Sequence, residues 1–245
     1  KTELEKAKND ALETQKTEEE KSNNDELDKQ NHLIQNQAVK VEKQNADIIS
    51  SIRYASRIQH ALLTDEKQLM AIYPVSFLLQ KPKDIVSGDF CFAEKILTPS
   101  EDYSVVILAD CTGHGVPGAF MSLLCYNLLN QIIRINRQYD PVSVLNTLNN
   151  TIYHTLHNKT EGKRINDGLD ISYLLIDNLS MNAWFAGTHT SLYKINNHEL
   201  TEYKGDKVSL GGRIEIRNYL NPYNLCIQPG DVFYLLTDGY PDQFG

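Results

Sequence analysis

The chain has 245 residues, and its 32 Asp and Glu outnumber its 24 Lys and Arg to give a net charge of -8 at pH 7. This acidity argues against a general nucleic-acid-binding protein, because phosphate backbones are bound by clustered Lys and Arg. The length is enough for one sizeable domain plus an extension.

The four cysteines show no CxxC pairing, and three of them lie in apolar segments. This pattern favours a reducing, cytoplasmic compartment over a disulfide framework. We expect neither a signal peptide nor an apolar run near the roughly 18 residues of a membrane span. Because the sequence begins with Lys1 and not Met, we expect it to be a fragment of a longer protein with an upstream sensor domain. A membrane segment upstream of this fragment is compatible with that expectation.

Residues 1–63 are rich in Lys, Glu, Asn and Gln and differ in composition from the rest. Apolar residues recur there at heptad spacing, at the d positions Leu27, Ile34, Val41, Ile48, Ala55 and Leu62. The a positions alternate between polar and apolar residues: Asn31, Ala38, Asn45, Ile52 and Gln59. Polar a residues set register or oligomeric state in coiled coils. The pattern predicts a coiled-coil signalling linker that forms a parallel homodimer, with a merely solvated helix as the alternative.

Residues 64–245 are predicted to form a second domain of short strands and two helices. Strands are expected at 76–79, 90–93, 103–109, 169–177, 181–187, 191–195, 199–203 and 232–237, and helices at 116–137 and 141–157. Because the strands group on either side of a helix pair, their order predicts an α+β fold with antiparallel sheets and not a doubly wound parallel sheet.

A glycine-rich segment follows the apolar run that ends on Asp110, and an amphipathic helix comes next. Gly113, Gly115 and Gly118 match the spacing of a dinucleotide-binding fingerprint. That alternative requires a second parallel strand after the helix, whereas another helical pattern begins at Pro141. Asp110 would also repel a pyrophosphate at the helix N-terminus, so the dinucleotide site is the weaker interpretation.

Two more aspartates adjoin glycine beside strand-like runs, Asp89 after Gly88 and Asp238 before Gly239. Carboxylates, backbone carbonyls and water are the oxygen ligands that Mg²⁺ and Mn²⁺ prefer. Two such ions ~4 Å apart clamp a phosphoryl group and activate a water for attack on it. A turn explains any single Asp-Gly pair, but the three candidates together favour a metal-dependent hydrolase.

Three segments in order, Ser87 to Phe90, Asp110 to Ala119 and Thr237 to Gly239, resemble the PPM family of metal-dependent serine/threonine protein phosphatases. The similarity is to the bacterial branch typified by the sporulation stage II E phosphatase and covers about 76–245. It implies an α-β-β-α sandwich of two antiparallel sheets flanked by helices, preceded here by the long N-terminal helix. It also implies two Mn²⁺ or Mg²⁺ ions and hydrolysis of phosphoserine or phosphothreonine by metal-activated water.

The resemblance also implies roles for individual residues. Asp110 would bridge the two metal ions, and Asp238 would bind one of them. Asp89 would complete the site directly or through water, and the backbone carbonyl of Cys111 would be a further ligand. His114 corresponds to the histidine of the family's Gly-His-Gly segment and is interpreted as local structure.

Two further residues are weaker candidates. Asp242 would contact a metal-bound water, and Lys83 would meet the incoming phosphate, with a solvated surface lysine as the alternative. Family members have a closing Asp-Asp segment after the Thr-Asp-Gly motif, whereas this sequence stops at Gly245, so we expect one metal site to be weakened. The turn from Ala186 to His189 also differs from the family's commoner Ala-Gly-His-Pro.

These observations give two hypotheses. The first is a metal-dependent phosphatase that acts on a phosphorylated regulatory protein, such as an anti-sigma-factor antagonist, and is controlled through the N-terminal coiled coil. The second is a catalytically silent dimeric signalling module on the same fold.

Overall fold

The computed structural model describes residues 2–157, 168–212 and 215–240. By its internal contacts the chain divides into two compact units, Lys1–Ser51 and Ile52–Gly245. The long helix α1 spans Thr2–Leu62. The predicted domain boundary at residue 63 stays a prediction.

Helix α1 carries an exposed apolar stripe in the first unit. Leu27, Ile34, Val41 and Ile48 are each more than half exposed, at 55%, 62%, 53% and 57% of their surface. These are four of the predicted d positions. Apolar side chains at this spacing form the seam of a coiled coil when a second helix covers them. The homodimer stays a prediction.

The heptad assignment of Gln59 needs correction. In the second unit this side chain is 4% exposed and hydrogen-bonds to Ser87 and Ser122 instead of facing a coiled-coil partner. A seam residue would point to the partner helix, so the predicted seam ends before this position.

The second unit contains two antiparallel sheets. Its elements in chain order are α2 (Glu66–Ile72), β1 (Phe90–Leu97), β2 (Asp102–Cys111), α3 (Gly115–Leu129), α4 (Pro141–His157), β3 (Leu169–Asp177), β4 (Asn182–Thr188), β5 (Leu192–Asn196), β6 (Glu199–Tyr203), β7 (Tyr223–Cys226) and β8 (Val232–Leu235). The larger sheet has the order β1-β2-β3-β4-β7, and the smaller one has the order β6-β5-β8. The predicted α+β fold with two antiparallel sheets and a long N-terminal helix is confirmed.

The two faces of the larger sheet bury different sets of residues. On β3, Ile171, Tyr173 and Leu175 belong to the main core, which α3 and α4 complete. Leu174 and Ile176 point the other way and belong to a second core with residues of the smaller sheet. This alternation is the period-2 pattern of a strand buried on both faces.

Two strand predictions differ from the structure. Residues 76–79 form no strand; Phe77 and Leu79 are mostly exposed there, and no described strand pairs with them. The short strand β7 was not predicted, because its four residues carry no clear alternation and its position depends on pairing with β4.

Helix α3 continues into a π-helical segment, Asn130–Ile135. Contrary to the sequence expectation, the run Gly115–Ile135 is long and apolar enough to cross a membrane, although half of it is buried within the protein. Its buried residues pack in the main core, as those of a core helix do.

Candidate metal centre

Three aspartates lie in one row across the larger sheet. Asp110 on β2 is the register partner of Asp170 on β3. Continuing the β1–β2 register from the Phe90–Ala109 pair by one residue places Asp89 opposite Asp110. Residues directly opposite each other point to the same face, so the row presents three carboxylates side by side.

The row faces the smaller sheet. On β2, Val105, Ile107 and Ala109 belong to the core beneath the helices, so Asp110 points to the opposite face. The smaller sheet supplies the third predicted aspartate there, because Asp238 follows the last strand, β8. Carboxylates from the two sheets therefore lie close together at one end of the sandwich.

A hydrogen bond from Thr237 links the two sheets at this end. Its hydroxyl donates a hydrogen bond to Asp89 Oδ2 at 2.8 Å. The Asp110 carboxyl interacts with both Asp89 and Asp238 by hydrogen bonding and charge. The structure thus brings together the three aspartates that the sequence selected.

Close backbone packing holds the loop after Asp110 in place. A Cβ on Gly88 would lie 3.0 Å from the carbonyl oxygens of Cys111 and Gly113. A Cβ on Gly118 would lie 2.4 Å from the same Gly113 oxygen. A side chain at Gly118 would therefore clash with the backbone, and one at Gly88 would push the neighbouring carbonyls outward. The two glycines set the Cys111 carbonyl beside the segment that carries Asp89.

Burial and neighbouring charge disfavour an ionised Asp110. Desolvation comes first, and the carboxyls of Asp89 and Asp238 add to it, so the pKa of Asp110 is raised to about 8. Burial likewise raises the pKa of Asp170, with a smaller contribution from Asp238. Carboxyls crowded in this way favour a cation between them, because a cation offsets their repulsion.

The donor set fits a hard divalent cation. Asp89, Asp110, Asp238 and the Cys111 carbonyl offer only oxygen, which Mg²⁺ and Mn²⁺ prefer. Hydrogen bonding to Cys125 and burial raise the pKa of the Cys111 thiol, so its sulfur stays protonated in the core and only its carbonyl is a candidate donor. Within the described ranges, no three His, Cys, Asp or Glu side chains form a ready metal-binding group. Water would complete the coordination, as is usual for Mg²⁺.

The comparison with known families decides the identity of this domain. The sequence profile of Stage II sporulation protein E (SpoIIE) matches residues 100–244. The chain belongs to the SpoIIE family.

Solved structures agree with the SpoIIE-family assignment. The SiaA-PP2C domain of Pseudomonas aeruginosa is 30% identical, with 81% of this chain and 75% of that one covered and a TM-score of 0.69. The PP2C phosphatase domain of the cell fate determinant SpoIIE from Bacillus subtilis, solved with a fragment of its regulatory domain, is 20% identical (65% and 43% covered, TM-score 0.50) and shows the shared fold. No curated protein matches the chain.

Lys83, His114 and Asp242 are the remaining predicted residues of this SpoIIE-family domain. Lys83 is exposed, and among the described residues no hydrogen bond or ion pair joins it to the three aspartates. His114 precedes α3, and its Nδ1 lies 2.9 Å from Asp84 Oδ2, which agrees with a role in local structure. Asp242 lies outside the described residues.

Sequence reasoning missed Asp170. A signal was present, because this carboxylate interrupts the apolar strand β3. Its Oδ1 is buried without a hydrogen-bond partner among the described residues. Its proximity to Asp110 is a matter of strand register, which the sequence of either strand alone does not reveal.

Proposed function

We propose that the chain is a metal-dependent protein serine/threonine phosphatase of the SpoIIE family. The observation that carries this proposal is the convergence of Asp89, Asp110 and Asp238 at the end of the sandwich. Membership of the SpoIIE family and the similarity to PP2C domains support it. The alternative of a catalytically silent module is not favoured, because Asp89, Asp110 and Asp238 converge in one place.

In this mechanism the chain would hold two Mn²⁺ or Mg²⁺ ions. Asp110 would contribute to both, Asp238 to one of them, and Asp89 directly or through water, with the Cys111 carbonyl as a further donor. When bound, the ions supply charge neutralisation for the phosphoryl group and activation of a water. The Thr237 hydroxyl orients Asp89, and the packing of Gly88 against the loop after Asp110 keeps the donors from spreading.

Helix α1 offers a route for control. Gln59 Nε2 donates to the Ser87 carbonyl at 2.7 Å, and the Ser87 N–H donates to Gln59 Oε1 at 3.0 Å. Gln59 Nε2 also donates to Ser122 Oγ on α3 at 2.8 Å. Ser87 stands two residues before Asp89, so a shift of the helix end would displace a candidate metal ligand. We therefore include control by the N-terminal coiled coil in the proposal.

The substrate we propose is a phosphorylated regulatory protein, such as an anti-sigma-factor antagonist, in the cytoplasm. The description of the Bacillus subtilis relative as a cell fate determinant supports a regulatory setting. An upstream sensor domain would supply the signal, and homodimerisation of α1 would transmit it.

The test is hydrolysis of a phosphoserine peptide with and without Mn²⁺. We expect turnover that requires Mn²⁺ and is lost in Asp110→Ala. The matched control is Asp28→Ala on the exposed part of α1, which should retain turnover. Full Mn²⁺-dependent turnover by Asp110→Ala would contradict the assignment of the site.

A further inference from the structure

The segment that contains Leu210 crosses the end of the larger sheet beside the candidate metal centre. The Leu169 N–H donates to the Leu210 carbonyl at 3.1 Å, and the Leu210 N–H donates to the Leu169 carbonyl at 2.9 Å. This antiparallel bridge places Ser209 opposite Asp170, and the Ser209 side chain hydrogen-bonds to the Asp170 carboxyl. Because Asp170 is the register partner of Asp110, the segment borders the row of aspartates.

The side chains from Lys207 to Leu210 divide between two environments. Val208 and Leu210 are buried in the main core, with 5% and 0% of their surface exposed. Lys207 and Ser209 are exposed. Since Ser209 contacts Asp170, the exposed side of the segment is the one that borders the aspartates. Two residues of backbone span at most about 7 Å, so Lys207 lies at the rim of the site and not among the carboxylates.

Hydrogen bonds before Lys207 fix its place. The Val208 N–H donates to the Asp206 carbonyl at 2.9 Å, so Lys207 is the central residue of a tight turn. Asp206 is held in turn, because its N–H donates to the Gly187 carbonyl at 2.8 Å. Its carboxylate also accepts from the N–H and the Nδ2 of Asn221, at 2.7 Å each. The turn is therefore tied to the sheet and to the segment that leads into β7.

The other end of the segment is anchored to helix α4. The Gly211 N–H donates to Asn149 Oδ1 at 2.9 Å, and Asn149 is fully buried. Gly211 has a φ of 90°, which a residue with a side chain rarely adopts. Because both ends are held, the backbone at Lys207 needs little further ordering when a ligand binds to its ammonium group.

The ammonium group of Lys207 has no partner among the residues that the structure describes. No hydrogen bond or ion pair joins it to another described residue, whereas Lys204 on the same segment lies 3.8 Å from Glu202. The row of aspartates repels an acidic segment of a substrate, and a cation at the rim attracts one. Such charges decide which partners an interface accepts more than they decide its total affinity.

We propose that Lys207 determines substrate specificity by forming an ion pair with a carboxylate of the phosphoprotein, on a residue close in sequence to the phosphoserine or phosphothreonine. This inference rests on the proposed phosphatase function. The position of Lys207 favours a neighbouring carboxylate over the phosphate itself, because the phosphoryl group belongs at the aspartates and Lys207 lies at the rim.

Three phosphoserine peptides test this role in the 245-residue chain with Mn²⁺. They are identical except that the residues flanking the phosphoserine are Glu, Gln or Lys. We expect Lys207→Gln to raise KM for the Glu peptide about two- to fivefold, the usual effect of one exposed ion pair, and to leave KM for the Gln peptide unchanged. Lys207→Glu should raise KM for the Glu peptide further and lower KM for the Lys peptide. The effect on the Glu peptide should shrink as salt is added.

The readouts that should not change are kcat for all three peptides and both kinetic constants for p-nitrophenyl phosphate, which has no flanking residues. The matched control is Lys204→Gln. It removes the same charge three residues away, from a side chain that lies beside Glu202, and should leave the order of the peptides unchanged.

The outcomes separate this inference from the proposed function. A raised KM for p-nitrophenyl phosphate in Lys207→Gln would show that Lys207 contacts the phosphate, and would overturn the carboxylate assignment. An equal change for all three peptides, no change for any, or the same change in Lys204→Gln would overturn it as well. Each of these results leaves the phosphatase assignment standing. If the unmodified chain showed no Asp110-dependent turnover of p-nitrophenyl phosphate, the proposed function would fail, and this inference would fail with it.

Discussion

The hydroxyl of Thr237 donates a hydrogen bond to Asp89 Oδ2 at 2.8 Å and joins two parts of the chain that are 148 residues apart. Asp89 immediately precedes β1 of the larger sheet, and Thr237 follows β8 of the smaller one. The bond therefore aligns the two sheets at the end where the aspartates meet. It also holds one oxygen of Asp89, which fixes the direction of the other.

Thr237→Val should weaken metal binding more than it weakens the fold. The two side chains have similar shapes, so the main change is the lost hydrogen bond, which contributes about 1 kcal/mol to stability. Partners that orient a metal ligand affect metal affinity about 10- to 100-fold when they are removed. Calorimetry with Mn²⁺ measures the effect. Thr201→Val on the exposed strand β6 is the control, and equal Mn²⁺ affinity in the two variants would contradict this role of Thr237.

Asp110→Asn should stabilise the metal-free protein at pH 8 while abolishing its stabilisation by Mn²⁺. Because the pKa of Asp110 is raised to about 8 in the folded chain, the folded state binds more protons than the unfolded state above the ordinary pKa of about 4. Metal-free stability should therefore fall as the pH rises from about 4 to about 8, and this fall should be smaller in the variant. Thermal unfolding in EDTA and in Mn²⁺ measures both effects.

Asp177→Asn is a control for which we expect the opposite change in the stability of the folded protein. A hydrogen bond from the Ser180 side chain holds the pKa of Asp177 below its ordinary value. A lowered pKa stabilises the folded state above the ordinary pKa and not below it. Replacing Asp177 should therefore lower the melting temperature at neutral pH and leave the Mn²⁺ response intact. A gain in stability from both substitutions would show that the Asp110 effect is not specific to the crowded site.

Gly118→Ala tests the close packing of the loop that follows Asp110. Alanine is the better helix former by about 1 kcal/mol, but its Cβ would lie 2.4 Å from the Gly113 carbonyl oxygen. We expect the cost of the clash to exceed the gain in helix propensity. The free energy of unfolding in urea should fall by about 1–3 kcal/mol, and Mn²⁺-dependent turnover should be reduced. Gly212→Ala is the control, because a Cβ there meets nothing within 4 Å. A stabilised Gly118→Ala variant would contradict the packing argument.

The sequence predicted the parts of the site that follow from local pattern. Asp110 ends an apolar strand, and glycines flank Asp89 and Asp238, so each of these aspartates was recognisable where it stands in the chain. The antiparallel α+β class followed from the order of strands and helices. These features depend on neighbours a few residues away.

The missed parts depend on contacts between distant segments. Asp170 becomes part of the site only through its register with Asp110, and β7 is a strand only because β4 pairs with it. Gln59 fitted a heptad, but burial against Ser87 decides its real environment. Helical periodicity places a residue on one face of a helix, and it does not say which neighbour covers that face.

Ile48→Asp should shift the chain from dimer to monomer in sedimentation velocity. Ile48 is a predicted d residue and is 57% exposed in the single chain, so a partner helix would bury it and a buried unpaired charge would destabilise that contact. Ser50→Asp, two residues on and away from the predicted seam, should leave the sedimentation coefficient unchanged. A dimer that persists in Ile48→Asp would place the contact between subunits outside the α1 seam.

Gln59→Met should break the hydrogen-bonded connection between the end of α1 and the segment that carries Asp89. Methionine keeps much of the volume but neither donates to the Ser87 carbonyl nor accepts from the Ser87 N–H. A buried N–H left without a partner costs about 1–3 kcal/mol, so we expect a loss of that size in urea unfolding. Because Ser87 leads directly into Asp89, Mn²⁺ affinity should also fall. Gln37→Met, on the exposed part of α1, controls for the substitution itself. If Gln59→Met lost stability but kept full Mn²⁺ affinity, the contact would support the fold only, and control through α1 would need another route to the aspartates.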